Sequence, residues 1–220
     1  MTMPASRVGQ APGLRGAPGP AARLKEIAEI FSQAAGSAYP ESIESAAAAI
    51  GDALEKGAKL LVFGNGGSAA DAQHLCGELM VRFQQERRPL PAIALVSDAA
   101  VLTACANDYD YEQVFARQIE ALGAPGDVAL AISTSGESPN VVRALETARS
   151  RRMFTILLTG VATCSASQCA DQVLAAPATA TARIQELHLA AYHLMCEILD
   201  ARFSSPGGRA SARAGLRPRQ

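Results

Sequence analysis

Five short apolar runs set the terms for this chain: Leu60 to Phe63, Ala92 to Val96, Val128 to Ile132, Phe154 to Leu158 and Val173 to Ala176. None alternates apolar with polar residues. A strand with one wet face would alternate, so continuous runs of this length belong to strands covered on both faces, as in a parallel sheet. Between them lie segments with a 3.6-residue apolar period: Ser68 to Phe83, Tyr111 to Leu122, Pro139 to Arg149 and Thr181 to Phe203. Ahead of them, Leu24, Ile27, Ile30 and Phe31, then Ile43, Ala46, Ile50 and Leu54, predict two amphipathic helices, with Pro40 and Glu41 marking the break. Strands alternating with helices predict an α/β fold: a doubly wound five-stranded parallel sheet with N-terminal helices and a long C-terminal helix. In that last helix Ile184, Leu187, Ala191, Leu194 and Ile198 step by three and four. This seam is expected to pack on another helix, of this chain or of another subunit.

A chain of 220 residues, 49% apolar, can bury one ordinary core, and residues 23–203 are read as a single domain. Residues 1–22 and 204–220 are rich in Gly, Pro, Ala and Ser with few large apolar side chains, so both are expected to be disordered tails. Arg7 and Arg15 lie in the first and Arg209, Arg213, Arg217 and Arg219 in the second. With a formal net charge of −1 overall, the middle of the chain is therefore acidic, which disfavours a nucleic-acid partner. No apolar stretch approaches the roughly 20 residues of a membrane span, and the first 22 residues lack the apolar segment of a secretory signal. A cytoplasmic protein without a membrane partner is expected. The five cysteines, Cys76, Cys105, Cys164, Cys169 and Cys196, are odd in number and scattered without a CxxC pair, and read as free thiols, mostly buried.

In a doubly wound sheet the ligand sits outside the carboxyl ends of the strands. There the first run leads directly into Gly64-Asn65-Gly66-Gly67-Ser68-Ala69-Ala70, with a helix expected from Ser68. Glycines let the backbone approach an anion closely, and a helix N-terminus favours one. The third run ends in Ser133-Thr134-Ser135-Gly136-Glu137-Ser138-Pro139-Asn140, four hydroxyls around a glycine, with Ser138 as the expected N-cap and Pro139 at the first helical position. The sequence carries no GxxxxGK[ST], and no GxGxxG follows the first run, so neither a nucleotide triphosphate nor a dinucleotide is indicated. A small phosphorylated metabolite fits.

His74 and Glu78, four apart on the helix after the glycine loop, share a face and can converge on a metal or a substrate proton. The last helix carries Gln185, Glu186, His188 and His193, so all three histidines of the chain fall on these two helices.

Taken together, Gly64-Asn-Gly-Gly-Ser-Ala-Ala-Asp-Ala-Gln-His74, Ser133-Thr-Ser-Gly-x-Ser-Pro-Asn140 and Ile184-Gln-Glu-x-His188 closely resemble the phosphoheptose isomerases, a branch of the sugar isomerase (SIS) family, over residues 23–203. The resemblance implies a flavodoxin-like SIS domain and a homotetramer with active sites between subunits. It also implies conversion of sedoheptulose 7-phosphate to D-glycero-D-manno-heptose 7-phosphate through an enediol, feeding bacterial heptose, lipopolysaccharide or capsule synthesis. It places Zn2+ on His74, Glu78, Gln185 and His193, with Glu78 and His193 as the acid and base. Substrate contacts fall on Asn65, Gly66, Gly67, Ser68, Asp71, Glu78, Asn107, Asp108, Ser133, Thr134, Ser135, Ser138 and Gln185.

The chain departs from the family pattern in three places. Glu137 brings an acid beside the expected phosphate, Leu187 replaces a small residue, and Val161 to Gln168 lacks a glycine pair. An acid next to a phosphate weakens binding unless it points away. Three other readings remain open on sequence: isomerisation of a different sugar phosphate, a regulatory SIS module that senses one, and a non-catalytic adaptor that binds the replication initiator protein. The adaptor relative lacks an acid and base at the positions of Glu78 and His193, and this chain has both. The regulatory modules carry a helical DNA-binding domain that the first 22 residues cannot form.

Overall fold

The computed structural model describes residues 19–204. Its elements are α1 (Pro20–Ala35), α2 (Tyr39–Glu55), β1 (Leu60–Gly64), α3 (Gly67–Met80), β2 (Ala92–Ala94), α4 (Ala99–Asp108), α5 (Ala116–Leu122), β3 (Val128–Ile132), α6 (Pro139–Ser150), β4 (Phe154–Thr159), β5 (Gln172–Ala175) and α7 (Thr181–Phe203), with 3-10 turns at Tyr111–Gln113 and Ala166–Cys169. The five strands form one sheet, all parallel, in the order β2-β1-β3-β4-β5. This is the flavodoxin-like order, in which the chain leaves β1 toward one edge and returns to build the other side from β3. Gly64 is in register with Ile132, so the loops after β1 and β3 emerge side by side at the point where the winding reverses.

The missing alternation in the apolar runs is explained by helices on both faces. Leu60, Val62, Val128, Leu130, Ile132, Ile156 and Leu158 face the layer of α1, α2, α3 and α7. Leu61, Phe63, Ala129, Ala131 and Leu157 face α4, α5 and α6. Every residue of β1 and β3 is buried.

Several boundaries differ from the sequence reading. Helix α1 begins at Pro20, a proline in its first turn, so residues 20–22 belong to the domain rather than to a tail. Residues 1–18 of that tail, and all but Ser204 of the C-terminal one, lie outside the described residues. The break between the first two helices is Gly36–Ala38, and Pro40 sits inside the first turn of α2. Helix α3 stops at Met80 instead of Phe83, and the segment from Tyr111 splits into a 3-10 turn and the short α5. Helix α4 was not legible at all, because only Cys105 of its ten residues is buried and no apolar period forms; its start is set by Asp98, whose carboxylate caps Ala100 and Val101 N–H at 2.9 and 3.1 Å. The α7 seam packs within the chain, on α2 and α3. Its buried stripe runs through Ile184, Leu187, His188, Ala191, Tyr192, Met195, Cys196 and Leu199, while Leu194 is exposed and Ile198 half-buried.

Candidate active site

The two loops after β1 and β3 are joined by their asparagines. Asn65 Nδ2 donates to Asn140 Oδ1 and Asn140 Nδ2 donates to Asn65 Oδ1, both at 2.9 Å, and Tyr111 Oη donates to Asn65 Oδ1 at 3.1 Å. Asn140 is buried, so this paired amide contact ties the glycine loop to the first turn of α6. Gly66 takes φ +57°, ψ −121°, a conformation that side chains disfavour, and so turns the chain sharply into α3. At Gly67 the Gln185 side chain comes close: a Cβ there would lie 2.5 Å from its Nε2 and would displace the end of that side chain. Gln185 is thereby placed over the start of α3, two turns before His74.

In the loop after β3, buried Ser133 turns its hydroxyl inward to accept from Gly136 N at 3.1 Å, and Ser135 Oγ accepts from Glu137 N at 3.2 Å. Ser138 occupies the N-cap position of α6 with Pro139 in the first turn, as expected, and its hydroxyl sits at that N-terminus without a capping bond. Glu137 is turned away: its carboxylate takes both the backbone N–H, at 3.0 Å, and the hydroxyl of Ser165, which hold it below the usual carboxylate range. The odd acid therefore caps the 3-10 turn after β4 instead of facing the loop hydroxyls. Asn107 and Asp108 end α4 in the open, bonded to each other at 2.8 Å, three residues before the tyrosine that reaches Asn65.

Deeper along α3, the acid-base candidates meet. His74 Nε2 lies 3.0 Å from Glu78 Oε1 and 3.5 Å from His193 Nε2 of α7. The His74 and His193 rings pack edge to face at 5.0 Å, and Phe83 stacks on His193 with centroids 5.2 Å apart. Burial, and next the neighbouring His74, push the His193 imidazole below its ordinary value, which favours its neutral form as a proton acceptor. Tyr192 Oη lies 2.9 Å from His74 Nδ1 and 3.3 Å from Asp71 Oδ1, so a phenol and a carboxylate stand behind His74; burial raises the pKa of both. Tyr192 was not legible as a site residue, because its neighbours on α7 read as core.

His188 does not join this cluster. It is fully buried, no described group meets hydrogen-bond geometry with either ring nitrogen, and burial pushes it down to about 4. Gln185 also stands apart, with no hydrogen bond to His74, Glu78 or His193. Two imidazole nitrogens and a carboxylate oxygen are nevertheless donors that zinc takes, and separations of 3.0 and 3.5 Å bracket the roughly 3.3 Å edge of a tetrahedron with zinc-ligand bonds of about 2.0–2.1 Å. Among the described residues no three or more His, Cys, Asp or Glu side chains converge on one point: His74 is paired separately with Glu78 and with His193, and the expected metal set is not assembled. A mostly apolar cleft of about 750 Å³ between β2, α4 and α5 includes Asp108 in its lining but none of His74, Glu78 and His193.

A five-stranded sheet in this order, with serine and glycine loops at its switch point, defines a class. The SIS domain family matches residues 24–160, and the chain belongs to it. Phosphoheptose isomerase of Shewanella denitrificans is 47% identical over 186 residues, 80% of this chain and 95% of that protein. Two solved phosphoheptose isomerases, from Neisseria gonorrhoeae and Francisella tularensis, superimpose with TM-scores of 0.76 and 0.79 at 39% identity, each over 82% of this chain and 96% of theirs. Within the SIS family the chain groups with the phosphoheptose isomerases, which are sugar-phosphate isomerases.

Proposed function

We propose that this enzyme converts sedoheptulose 7-phosphate to D-glycero-D-manno-heptose 7-phosphate, in the cytoplasm and as a homotetramer, for bacterial heptose and surface-polysaccharide synthesis. The observation that carries the chemistry is the meeting of Glu78 and His193 around His74, at hydrogen-bonding separations, on two helices that start from the anion-binding end of the sheet.

The phosphate is held by Ser133, Thr134, Ser135 and Ser138, at the N-terminus of α6, where hydroxyls, free N–H groups and the helix dipole favour an anion. Asn65, Gly66, Gly67 and Ser68 line the neighbouring loop, and Asp71, Asn107, Asp108 and Gln185 contact the sugar hydroxyls. With the phosphate fixed, the sugar carbonyl end reaches Glu78 and His193. One of this pair removes the C1 proton of the open-chain ketose, giving a 1,2-enediol, and returns it at C2; the other moves a proton between O1 and O2. Such work needs a carboxylate and an imidazole on the same two carbons, and a depressed imidazole pKa keeps the base unprotonated at neutral pH. His74, Glu78 and His193 would hold Zn2+, with Gln185 as the fourth donor after a side-chain rearrangement. When bound, the ion would act as a Lewis acid on the carbonyl oxygen.

The test is turnover of sedoheptulose 7-phosphate by the purified protein, followed by NMR with added zinc and again after chelation. Conversion lost on chelation supports the reading. No conversion under either condition would direct the search to other sugar phosphates.

A further inference from the structure

Helix α3 ends at Met80, but the chain does not leave the site there. Residues 81–88 run back across the C-terminal half of α7 and are pinned at several points. Gln84 N and Gln85 N donate to Asp200 Oδ2 at 2.7 and 2.8 Å, and Gln84 Nε2 reaches Glu197 Oε1 at 3.1 Å. Arg87 Nε donates to Asp200 Oδ1 at 2.8 Å, and the side chains of both residues are fully buried. The other guanidinium nitrogens turn to α3: Nη2 donates to Glu78 O at 2.7 Å and Nη1 to Leu79 O at 2.8 Å. These carbonyls lie in the last turn of a helix, where no intrahelical N–H remains for them. One buried guanidinium therefore joins the turn that carries Glu78 to Asp200, two turns beyond His193 on α7. Between these pins, Phe83 lies over the His193 ring, 5.2 Å between centroids at 29°.

We propose that this strap, closed by the Arg87–Asp200 pair, positions the acid and the base: it fixes the separation of the helices bearing Glu78 and His193, and Phe83 fixes the orientation of the His193 ring. None of the three residues touches substrate in this account. They act through Glu78 and His193, so the proposal rests on the acid-base reading given above. A surface loop with only a structural role would not need a fully buried ion pair. Such a pair carries a large desolvation cost, and this one offsets it by satisfying five hydrogen bonds from three chain segments. Misplacing a catalytic group by about 1 Å can cost on the order of 10²-fold in rate, so a device of this kind shows in kcat before it shows in substrate binding.

Asp200→Asn breaks a buried pair and destabilises the fold as a whole, so the test is made at Phe83. Phe83→Leu keeps an apolar side chain and removes the stack; Phe83→Tyr restores a ring. We expect Phe83→Leu to lower kcat about 10-fold with KM within about 2-fold, and Phe83→Tyr to recover kcat to within about 3-fold of wild type. In histidine-labelled protein without substrate, the ring-proton resonance of His193 should move downfield in the Leu variant, as the ring current of the stacked phenyl is lost, and stay near its wild-type position in the Tyr variant. An unmoved resonance, an unchanged kcat, or equal losses in both variants would overturn the proposal. Failure of the acid-base reading would appear instead as near-normal turnover in Glu78→Gln and His193→Asn, a result separate from the Phe83 resonance, which is read without substrate.

Discussion

At the scale of single residues, the site is built from side chains whose partners lie far away in sequence. Asn140 Nδ2 and Oδ1 are both committed to Asn65, 75 residues earlier. Asn140→Ala leaves Asn65 Nδ2 without its partner, while Oδ1 keeps the Tyr111 hydroxyl, a cost of about 1–3 kcal/mol, and loosens both loops. The expected result is a KM for the sugar phosphate raised about 10-fold with kcat less affected, read from initial rates. His188 makes the opposite kind of prediction, about stability and not catalysis. Its folded-state pKa of about 4 lies below the ordinary 6.5, so as pH falls through 6.5 the unfolded chain takes up a proton that the folded chain refuses. Stability then falls with pH down to about 4, by roughly 3 kcal/mol in total. Urea melts at pH 7 and pH 4.5 should show this loss, and His188→Gln should remove most of it; equal slopes in the two proteins would rule His188 out as the cause.

At the scale of elements, the two loops and the helices they feed were legible in sequence. Gly64 to Ala70 and Ser133 to Asn140 stand where strands end, and Gly, Ser and Pro at those places have local meanings that do not depend on the rest of the fold. The pairing of His74 with Glu78 also followed from a four-residue spacing. Tyr111, Tyr192, Phe83 and the Arg87–Asp200 pair did not, because each acts across 46 to 121 residues or lies in a segment without period. His188 misled for a related reason: three histidines on two helices looked like one cluster, whereas the helical period turns His188 into the core and His193 toward α3. Gly66 gives the element-scale prediction. At φ +57° and ψ −121°, Gly66→Ala should cost about 1–3 kcal/mol in thermal melts although nothing stands within 4 Å of the new methyl. A melting temperature equal to wild type would mean that the loop relaxes without strain.

At the scale of the whole molecule, the parallel sheet was legible because a strand buried on both faces has no choice but to be apolar throughout. What covers the outside of the molecule was less so. Val81, Ile93, Val101 and Leu122 stay exposed on the β2 side of the sheet, a surface consistent with the proposed homotetramer. Light scattering of the purified protein should then give four times the 22.8 kDa chain mass. A monomer at micromolar concentration would exclude it. No helix among the described residues is long and apolar enough to cross a membrane.

The central claim is that Glu78 and His193 perform the proton transfers, and the most direct measurement compares turnover of sedoheptulose 7-phosphate by the wild type with Glu78→Gln and His193→Asn, each checked for intact fold by circular dichroism. Turnover should fall by at least about 10²-fold in each variant with unchanged spectra. Near-normal turnover in both folded variants would contradict it.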